Sequence, residues 1–245
     1  MNPADKVKYI SNWIKSYVDQ MPSKAQSLVI GISGGIDSSV SSTLCAMTGL
    51  KTIVLTMPIK QIQNQHDLSL MHQKWLVEKF KNVESHLINL DKLFDTFSST
   101  LNNFDNEHGF ANSRARLRMT TLYQVAAANK GIVVGTGNKV EDFGVGFYTK
   151  YGDGGVDISP IADCNKTEVW ELGKELGIYR EIIDAQPTDG LWNDGRTDEG
   201  QLGFKYEELE DAMKNPNSPH RAEYEKIRKQ NLHKMEPIPV CKIPS

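Results

Sequence analysis

Cysteine is scarce in this chain of 245 residues, and long apolar runs are absent from it. The three cysteines, Cys45, Cys164 and Cys241, are odd in number and match no metal-binding spacing. We therefore expect free thiols in a reducing environment. No apolar run is long enough to cross a bilayer, and the N-terminus lacks the basic and then apolar pattern of a secretory signal. These absences predict a cytoplasmic protein with no membrane partner.

An excess of charge of either sign is also absent. The 28 lysines and arginines nearly balance the 31 aspartates and glutamates, which gives a formal net charge of −3. Such a chain has no general attraction for nucleic acid, so we expect no nucleic-acid partner. The sequence shows neither an internal repeat nor a clear domain boundary. We expect residues 1–245 to form a single domain, which is long enough to bury a core.

The stretch LVIGISGGIDSS, residues 28–39, combines three local signals. The apolar run at its start is typical of a strand that is buried on both faces. The glycines that follow allow a sharp turn close to a ligand, and Asp37 and two serines then begin a helical pattern. A strand, a glycine turn and a helix N-terminus direct free backbone N–H groups at one point. We therefore expect an anion here, and specifically a phosphate chain.

The carboxylate of Asp37 would repel a phosphate chain at that position unless a cation lies between them. Mg²⁺ binds one or two carboxylates together with phosphate oxygens, so it suits this place. Aspartate also caps helices often. The two roles are compatible, and we expect Asp37 to have both.

The rest of the chain alternates strand and helix patterns. Strand patterns cover residues 51–57, 83–90 and 132–134, and helical patterns cover residues 3–20, 63–80, 91–104, 111–129, 206–214 and 220–232. Asn165 and Glu168 form a capping-box pattern before a further helix, which Gly177 ends. The alternation predicts an α/β fold with a parallel sheet flanked by helices, and ligands beyond the carboxyl ends of its strands. Residues 144–155 read as a glycine-rich loop, and residues 185–203 as a lid or a disordered segment.

The hexapeptide SGGIDS, residues 33–38, resembles the SGGxDS signature of the ATP pyrophosphatases. No Gly-Lys-Ser/Thr follows the glycines, so the loop is not of the Walker type. The resemblance implies a Rossmann-like fold of the adenine nucleotide alpha hydrolase type. It also implies ATP as co-substrate, cleavage between the α and β phosphates, and adenylylation of an acceptor.

Further motifs, in chain order, resemble the NAD synthetase family. They are NSRARLRM (112–119), GTGNKVED (135–142), FYTKYGDGGVDISP (147–160), NKTEV (165–169), Pro187-Thr188 and Leu232-His233-Lys234. The resemblance covers most of the chain and implies a ligase that forms a carbon–nitrogen bond. Such an enzyme uses ATP and ammonia to amidate the nicotinate carboxylate of deamido-NAD through an adenylylated intermediate, and it releases NAD, AMP and pyrophosphate. The family also implies a homodimer.

The same resemblance implies a role for each matching residue. The ATP-binding positions are Gly31, Ile32, Ser33, Gly34, Gly35, Ile36, Asp37, Ser38, Thr136, Lys166 and Thr188, and the deamido-NAD-binding positions are Arg116, Lys150, Asp157, His233 and Lys234. Asp37 and Glu141 match Mg²⁺ ligands. Lys166 matches a catalytic lysine that steadies charge on the α-phosphate, and Asp153 is a candidate for holding ammonium. Without the resemblance, Glu141 and Lys150 would be read as ordinary surface residues, and Thr188 as a turn residue.

The nitrogen source and the acceptor leave alternatives open. None of the three cysteines lies in a glycine-rich nucleophile turn, and no residues remain for an amidase domain, so we expect free ammonia unless a separate glutaminase supplies it. Another ATP pyrophosphatase could amidate or thiolate a different acceptor, although the paired cysteines and basic surface of thiolation enzymes are missing. A non-catalytic nucleotide-binding module would need the glycine loop but neither Glu141 nor Lys166.

Overall fold

A parallel β-sheet of four strands organises residues 1–192 and 194–244, which are the residues that this computed structural model describes. The strands are β1 (Ser27–Gly31), β2 (Lys51–Thr56), β3 (Val83–Leu87) and β4 (Gly131–Val133). Their order in the sheet is β3-β2-β1-β4, and each neighbouring pair is parallel. The predicted α/β class, with a parallel sheet flanked by helices, is therefore confirmed.

Helices follow or precede every strand. They are α1 (Pro3–Gln20), α2 (Ile36–Met47), α3 (Gln63–Lys79), α4 (Asp91–Thr100), α5 (Glu107–Ala128), α6 (Lys166–Leu176), α7 (Arg180–Ile183), α8 (Asp198–Leu202), α9 (Tyr206–Lys214) and α10 (Arg221–Met235). A 3₁₀ turn at Asn102–Phe104 follows α4, and a π-helical turn at Lys139–Val145 lies beyond β4. In the described ranges, no helix combines the length and the apolar character that crossing a lipid bilayer requires.

Alternate residues of β1 face two different apolar layers. Leu28 and Ile30 pack into a cluster that includes residues of α1, α2 and α6, whereas Val29 packs into a second cluster with Phe94 of α4 and Ala126 of α5. All three strand residues are completely buried. Helices therefore cover both faces of the sheet, which explains why this strand is apolar throughout.

Local capping explains where the element ends differ from the sequence prediction. α5 begins at Glu107, four residues before the predicted start, because the Asn106 side chain accepts the backbone N–H of Gly109. The prediction that residues 185–203 lack regular structure is wrong for α8, whose first turn is capped by the Thr197 side chain. Elsewhere α4 and β3 end earlier than predicted, and α10 runs three residues further.

The carboxyl ends of β1, β2 and β4 meet at one edge of the sheet. The N–H of Ile32, just beyond β1, donates to the carbonyl oxygen of Leu55 at 2.8 Å, so the glycine loop continues directly from the sheet. The π-helical turn lies beside it and buries Val140 and Val145 against Tyr206 of α9. The C-terminal helices thus close one side of the place where the sequence predicts a ligand.

Candidate active site

The glycine loop between β1 and α2 is held in a conformation that only glycine suits at residue 34. Gly34 has a φ of +93°, and a Cβ there would lie 2.4 Å from the carbonyl oxygen of Gln65 in α3. The Ser38 hydroxyl accepts the N–H of Ser33 at 3.2 Å and donates to the carbonyl oxygen of Gly35 at 3.0 Å. Gly35 is the N-cap of α2, and the helix has no side-chain cap, so its first N–H groups face the cleft with the positive end of the helix dipole.

Asp37 lies inside the first turn of α2 rather than at its cap. The expectation that it caps the helix is therefore wrong, because the carboxylate has stronger partners across the site. Its Oδ2 accepts from Lys166 Nζ at 2.6 Å, and its Oδ1 accepts from Asn138 Nδ2 at 3.0 Å. An ammonium and an amide thus fix both carboxylate oxygens at the edge of the cleft.

A single cleft at the carboxyl edge of the sheet collects most of the predicted ATP-binding residues. Those that line it are Gly31, Ile32, Ser33, Gly35, Ile36, Asp37, Ser38, Thr136, Lys166 and Thr188. Glu141 and Asp153 line it too, whereas Gly34 is buried against α3. The structure therefore brings these residues together from five different segments of the chain.

Lys166 is the centre of this arrangement. It is the first residue of α6, after the N-cap Asn165, whose N–H donates to the Glu168 carboxylate at 2.8 Å. The Lys166 side chain is 2% exposed, and Nζ donates to Asp37 Oδ2 and, at 2.9 Å, to Glu141 Oε1. One buried ammonium thus joins the two predicted Mg²⁺ ligands.

The charges of this trio shift one another. Burial alone would lower the pKa of Lys166, but the carboxylates of Asp37 and Glu141 outweigh it and raise the pKa. Burial also raises the pKa of Asp37, and the charge of Glu141 adds to this. For Glu141, the effect of burial is outweighed by Lys166 and by hydrogen bonds from Tyr206 and Asn138, and its pKa is lowered. Lys166 is therefore positively charged at pH 7 in a site where two carboxylates face it.

Asp153 also lines the cleft, in the turn that follows residue 150. Its Oδ1 accepts the backbone N–H of Thr149 at 2.9 Å. Desolvation by the surrounding protein raises the pKa of Asp153 to about 6, helped by the charges of Asp189 and Glu141 and opposed by the Thr149 N–H. The side chain is exposed to the cleft, so solvent there moderates this shift.

Four of the predicted deamido-NAD-binding residues form a cluster outside this cleft, where the C-terminus of α10 meets the loop before Asp153. Lys150 Nζ donates to the carbonyl oxygen of His233 at 2.6 Å, and Arg116 Nη2 lies 3.4 Å from the carbonyl oxygen of Lys150. Lys234 Nζ donates to the carbonyl oxygens of Gly146 and Tyr148, at 2.8 and 2.9 Å. Backbone carbonyls thus accept the hydrogen bonds of a basic cluster whose charge no carboxylate offsets in these contacts.

Asp157, the fifth predicted deamido-NAD-binding residue, does not join that cluster. Its Oδ2 accepts the backbone N–H of Val133 in β4 at 2.7 Å, and its Oδ1 accepts the Tyr123 hydroxyl at 3.1 Å. Both contacts fix the chain beside the edge strand. Both oxygens of the Asp157 carboxylate therefore accept hydrogen bonds from groups of the fold itself.

Sequence reasoning missed Arg118, which lines the cleft. Its guanidinium donates to the carbonyl oxygen of Met57 at 3.0 Å and to Gln61 Oε1 at 2.9 Å. Burial lowers its pKa to about 10, so it stays positively charged at pH 7. Residues four apart share a helix face, and Arg114 is indeed buried and Arg118 half-buried, while Arg116 is exposed. That spacing was the available signal.

Two further residues, which no sequence pattern indicates, lie next to Glu141 and to each other. Tyr206, at the start of α9, donates its hydroxyl to Glu141 Oε1 at 2.6 Å, and Asp198 of α8 lies 3.2 Å from the same hydroxyl. No local pattern marks them, because the contact of Tyr206 with Glu141 spans 65 residues of sequence and Asp198 joins the site through Tyr206.

This fold and site define a nucleotide-binding protein of the α/β class, with a glycine loop, a helix N-terminus and a buried lysine around one cleft. Comparison with family models makes the assignment specific, since the NAD synthase family model matches residues 6–243. The chain belongs to the NAD synthase family.

Individual relatives agree with this assignment. The chain is 37% identical over 236 residues to an NH₃-dependent NAD⁺ synthetase from Finegoldia magna, with 96% of this chain and 94% of the relative covered. A second such synthetase, from Carboxydothermus hydrogenoformans, is 36% identical, with 86% and 85% covered.

Two solved structures resemble the fold closely. The NMN synthetase from Francisella tularensis superposes with a TM-score of 0.90 at 32% identity, covering 99% of this chain and all of the other. The NH₃-dependent NAD synthetase from Campylobacter jejuni, in complex with a nitrate ion, gives a TM-score of 0.79 at 26% identity with the same coverage.

Proposed function

We propose that this protein is an ammonia-dependent ligase that amidates deamido-NAD with ATP and releases NAD, AMP and pyrophosphate. The observation that carries the proposal is the position of Lys166, a buried cation beside the glycine loop in a cleft shared with Thr136 and Thr188. A carboxylate resists attack by ammonia because its leaving group would be oxide. Transfer of AMP to the nicotinate carboxylate creates a good leaving group, so the triphosphate and the acceptor must be held together.

Groups of the cleft suit each part of the triphosphate. The first N–H groups of α2 and the hydroxyls of Ser33 and Ser38 can donate hydrogen bonds to phosphate oxygens. Lys166 and Arg118 bring two positive charges to the same cleft. Charge that develops on the α-phosphate during AMP transfer is stabilised by cations that are already in place and already desolvated. Thr136 and Thr188 complete the proposed ATP contacts.

We also infer that Asp37 and Glu141 are ligands of Mg²⁺. Both carboxylates line the cleft and both face the single positive charge of Lys166. Two negative charges against one positive charge leave the trio with a net negative charge, so the pair can accommodate a cation. Within the part of the chain that the structure describes, no group of three or more acidic, histidine or cysteine side chains could hold a metal ion. Phosphate oxygens and water would therefore supply the other ligands, as is usual for Mg²⁺. A bound Mg²⁺ supplies neutralisation of the polyphosphate charge.

For the second half of the reaction, we propose that Asp153 binds ammonium and accepts its proton. Asp153 lines the same cleft as Lys166, and its raised pKa makes it a better base than an ordinary aspartate. We propose the basic cluster of Arg116, Lys150, His233 and Lys234 as the place for the phosphates of the acceptor, and Asp157 as a separate acceptor contact outside that cluster. The lysines would exchange carbonyl contacts for phosphate oxygens on binding.

A second candidate acceptor is the carboxylate mononucleotide that corresponds to NMN. The observation that favours it is the TM-score of 0.90 to the NMN synthetase from Francisella tularensis, against 0.79 to the NAD synthetase from Campylobacter jejuni. The cleft described here needs only the nicotinate carboxylate at the α-phosphate, and both acceptors provide it. The difference between them is the second nucleotide.

The decisive experiment is a product assay with ATP, Mg²⁺, ammonium and either acceptor. Equal yields of NAD, AMP and pyrophosphate from deamido-NAD would support the proposal. A higher kcat/KM for the mononucleotide would instead identify the mononucleotide as the acceptor. ATP cleavage without amidation of either would reject both acceptors, and ATP binding without cleavage would favour a regulatory module. Glutamine in place of ammonium should give no product.

We propose further that the protein acts in the cytoplasm as a homodimer, with residues 1–245 as one domain.

A further inference from the structure

One tyrosine hydroxyl lies between two acidic side chains in the wall of the cleft, those of Glu141 and Asp198. Tyr206 Oη is 2.6 Å from Glu141 Oε1 and 3.2 Å from Asp198 Oδ2. Tyr206 is completely buried and Asp198 is 4% exposed, so bulk water does not solvate this contact. The hydrogen-bonding groups of Tyr206, Glu141 and Asp198 at this contact therefore depend on one another for partners.

A count of protons shows which group donates. A phenol carries a single proton and can donate only one hydrogen bond. The contact from Tyr206 to Glu141 has the short length that is typical of an O–H donor and an ionised acceptor, so it takes that proton. An ionised Asp198 would then face the lone pairs of Tyr206 Oη with no hydrogen between them. A protonated Asp198 removes the conflict, because its O–H donates to Tyr206.

The surroundings of Asp198 disfavour its ionised form. The charged and titratable groups that act on it are Glu141, Asp189, Asp37, Lys166 and Tyr206. Burial and the charge of Glu141 raise the pKa of Asp198 to about 8, against the opposing effect of Lys166. Its Oδ1 is buried and has no hydrogen-bond partner among the described residues, so ionisation would leave a charged oxygen unsolvated.

We propose that Asp198 carries a proton at neutral pH and acts through Tyr206 as a positioning residue for Glu141. The hydrogen bonds run from the Asp198 O–H to Tyr206 Oη, and from the Tyr206 O–H to Glu141 Oε1, which also accepts from Lys166. The backbone N–H of Asp198 donates to the carbonyl oxygen of Pro187 at 3.0 Å, next to the proposed ATP contact Thr188. The effect on catalysis rests on the proposed amidation, whereas the protonation does not.

Four variants test the positioning role. Asp198→Asn keeps a donor to Tyr206 without a charge, and we expect kcat within about threefold of the wild type. Asp198→Ala and Tyr206→Phe each remove a link of the chain, and we expect kcat to fall roughly 10- to 100-fold with little change in the acceptor KM. Tyr224→Phe, which alters a buried tyrosine of the same apolar cluster, is the matched control with unchanged kinetics. An Asp198→Asn enzyme as impaired as Asp198→Ala would overturn the proposal.

The protonation can be measured without any activity. Protein labelled with ¹³C at the aspartate carboxyl carbons is titrated by NMR, and the Asp198 signal is assigned by its loss in Asp198→Asn. We expect that signal to titrate near pH 8. A signal that titrates below pH 7 would overturn the proposal, because Asp198 would then be mostly ionised at neutral pH. If the wild type amidates neither acceptor, the proposed function fails while this titration still decides the state of Asp198.

Discussion

The ammonium of Lys166 lies 2.6 Å from the carboxylate of Asp37, although 129 residues separate them in the chain. Both groups lie at the edge of the phosphate-binding cleft, and the lysine is the more deeply buried of the two. Such a pair is costly to break, because removing one partner leaves the other as a buried charge. The contact therefore links the stability of the fold to the chemistry of the site.

Replacing Lys166 with methionine tests this link. We expect the free energy of unfolding to fall by about 3–5 kcal/mol at pH 7, as for other broken buried pairs. The loss should shrink toward acid pH, because Asp37 then takes a proton in place of its lost partner. Urea unfolding at several pH values measures both effects. Lys139→Met, which removes an exposed pair with Asp163, should change stability by less than about 1 kcal/mol; an equal loss in both variants would contradict the prediction.

Alanine at position 34 should damage the glycine loop more than alanine at another left-handed glycine. Gly34→Ala adds backbone strain and a clash with the Gln65 carbonyl oxygen, so we expect a loss of about 2–5 kcal/mol in stability. Gly49 has a similar φ of +77° but open space around it, so Gly49→Ala should cost only about 1–2 kcal/mol. Calorimetric titration should show weaker ATP binding only in Gly34→Ala. Unchanged ATP binding there would argue against the loop as the phosphate site.

Two arginines of α5 should affect different substrates. Arg118 lines the cleft, so Arg118→Met should raise the KM for ATP and lower kcat by roughly 10- to 100-fold, the loss of a charged hydrogen-bonding group. Arg116 is exposed near Lys150, so Arg116→Met should raise only the KM for the acceptor. Steady-state kinetics with each substrate varied separately distinguishes the two. If Arg118→Met raised the KM for the acceptor and Arg116→Met raised the KM for ATP, the acceptor rather than ATP would bind in the cleft.

The pH dependence of ammonium use should reveal Asp153. Its folded pKa is raised to about 6, so the carboxylate is largely neutral below that pH and ionised above it. Only the ionised form attracts ammonium, so we expect kcat/KM for ammonium to rise as the pH increases through 6 and then to level off. Asp153→Asn should lower this parameter at pH 8 and abolish the rise, while the KM for ATP stays unchanged. A pH profile identical to that of the wild type would remove Asp153 from this role.

Neutralising Glu141 should separate activity from folding. Glu141→Gln keeps the shape of the side chain and a partner for Tyr206, and Lys166 retains its bond to Asp37. We expect turnover to be lost and the Mg²⁺ dependence of ATP binding to weaken, with thermal unfolding changed little. Full activity in this variant would count against the proposed metal site.

The sheet was predictable from sequence because its signals are local. The apolar run of β1 is buried on both faces, and the glycines after it favour a tight turn. Strand, loop and helix therefore follow one another within 20 residues. Helix ends were less predictable, since α5 depends on one cap at Asn106 and α8 on one at Thr197. Side-chain caps act over three residues and leave little periodic signal.

The detailed arrangement of the site was not predictable from local patterns. The resemblance to a family assigned Lys166 to the phosphates. The hydrogen bonds of Lys166 to Asp37 and Glu141, however, join residues that are 129 and 25 positions apart in the chain. The helical phase of α5 could have favoured Arg118 over Arg116, since Arg118 shares its face with the buried Arg114. Nothing in the sequence around Tyr206 or Asp198 indicates the hydrogen bond between them.

The sheet order β3-β2-β1-β4 has a consequence for the chain as it emerges from the ribosome. The first three strands and the glycine loop are complete once residue 87 has been made, whereas β4 and α6 come much later. At translation rates of 5–20 residues per second, Asp37 waits about 6 to 26 seconds for Lys166. During that interval the nascent phosphate loop has a helix N-terminus but no buried cation, so the growing chain cannot yet close around its carboxylate. Synthesis itself thus delays assembly of the site at least until Lys166 has been added.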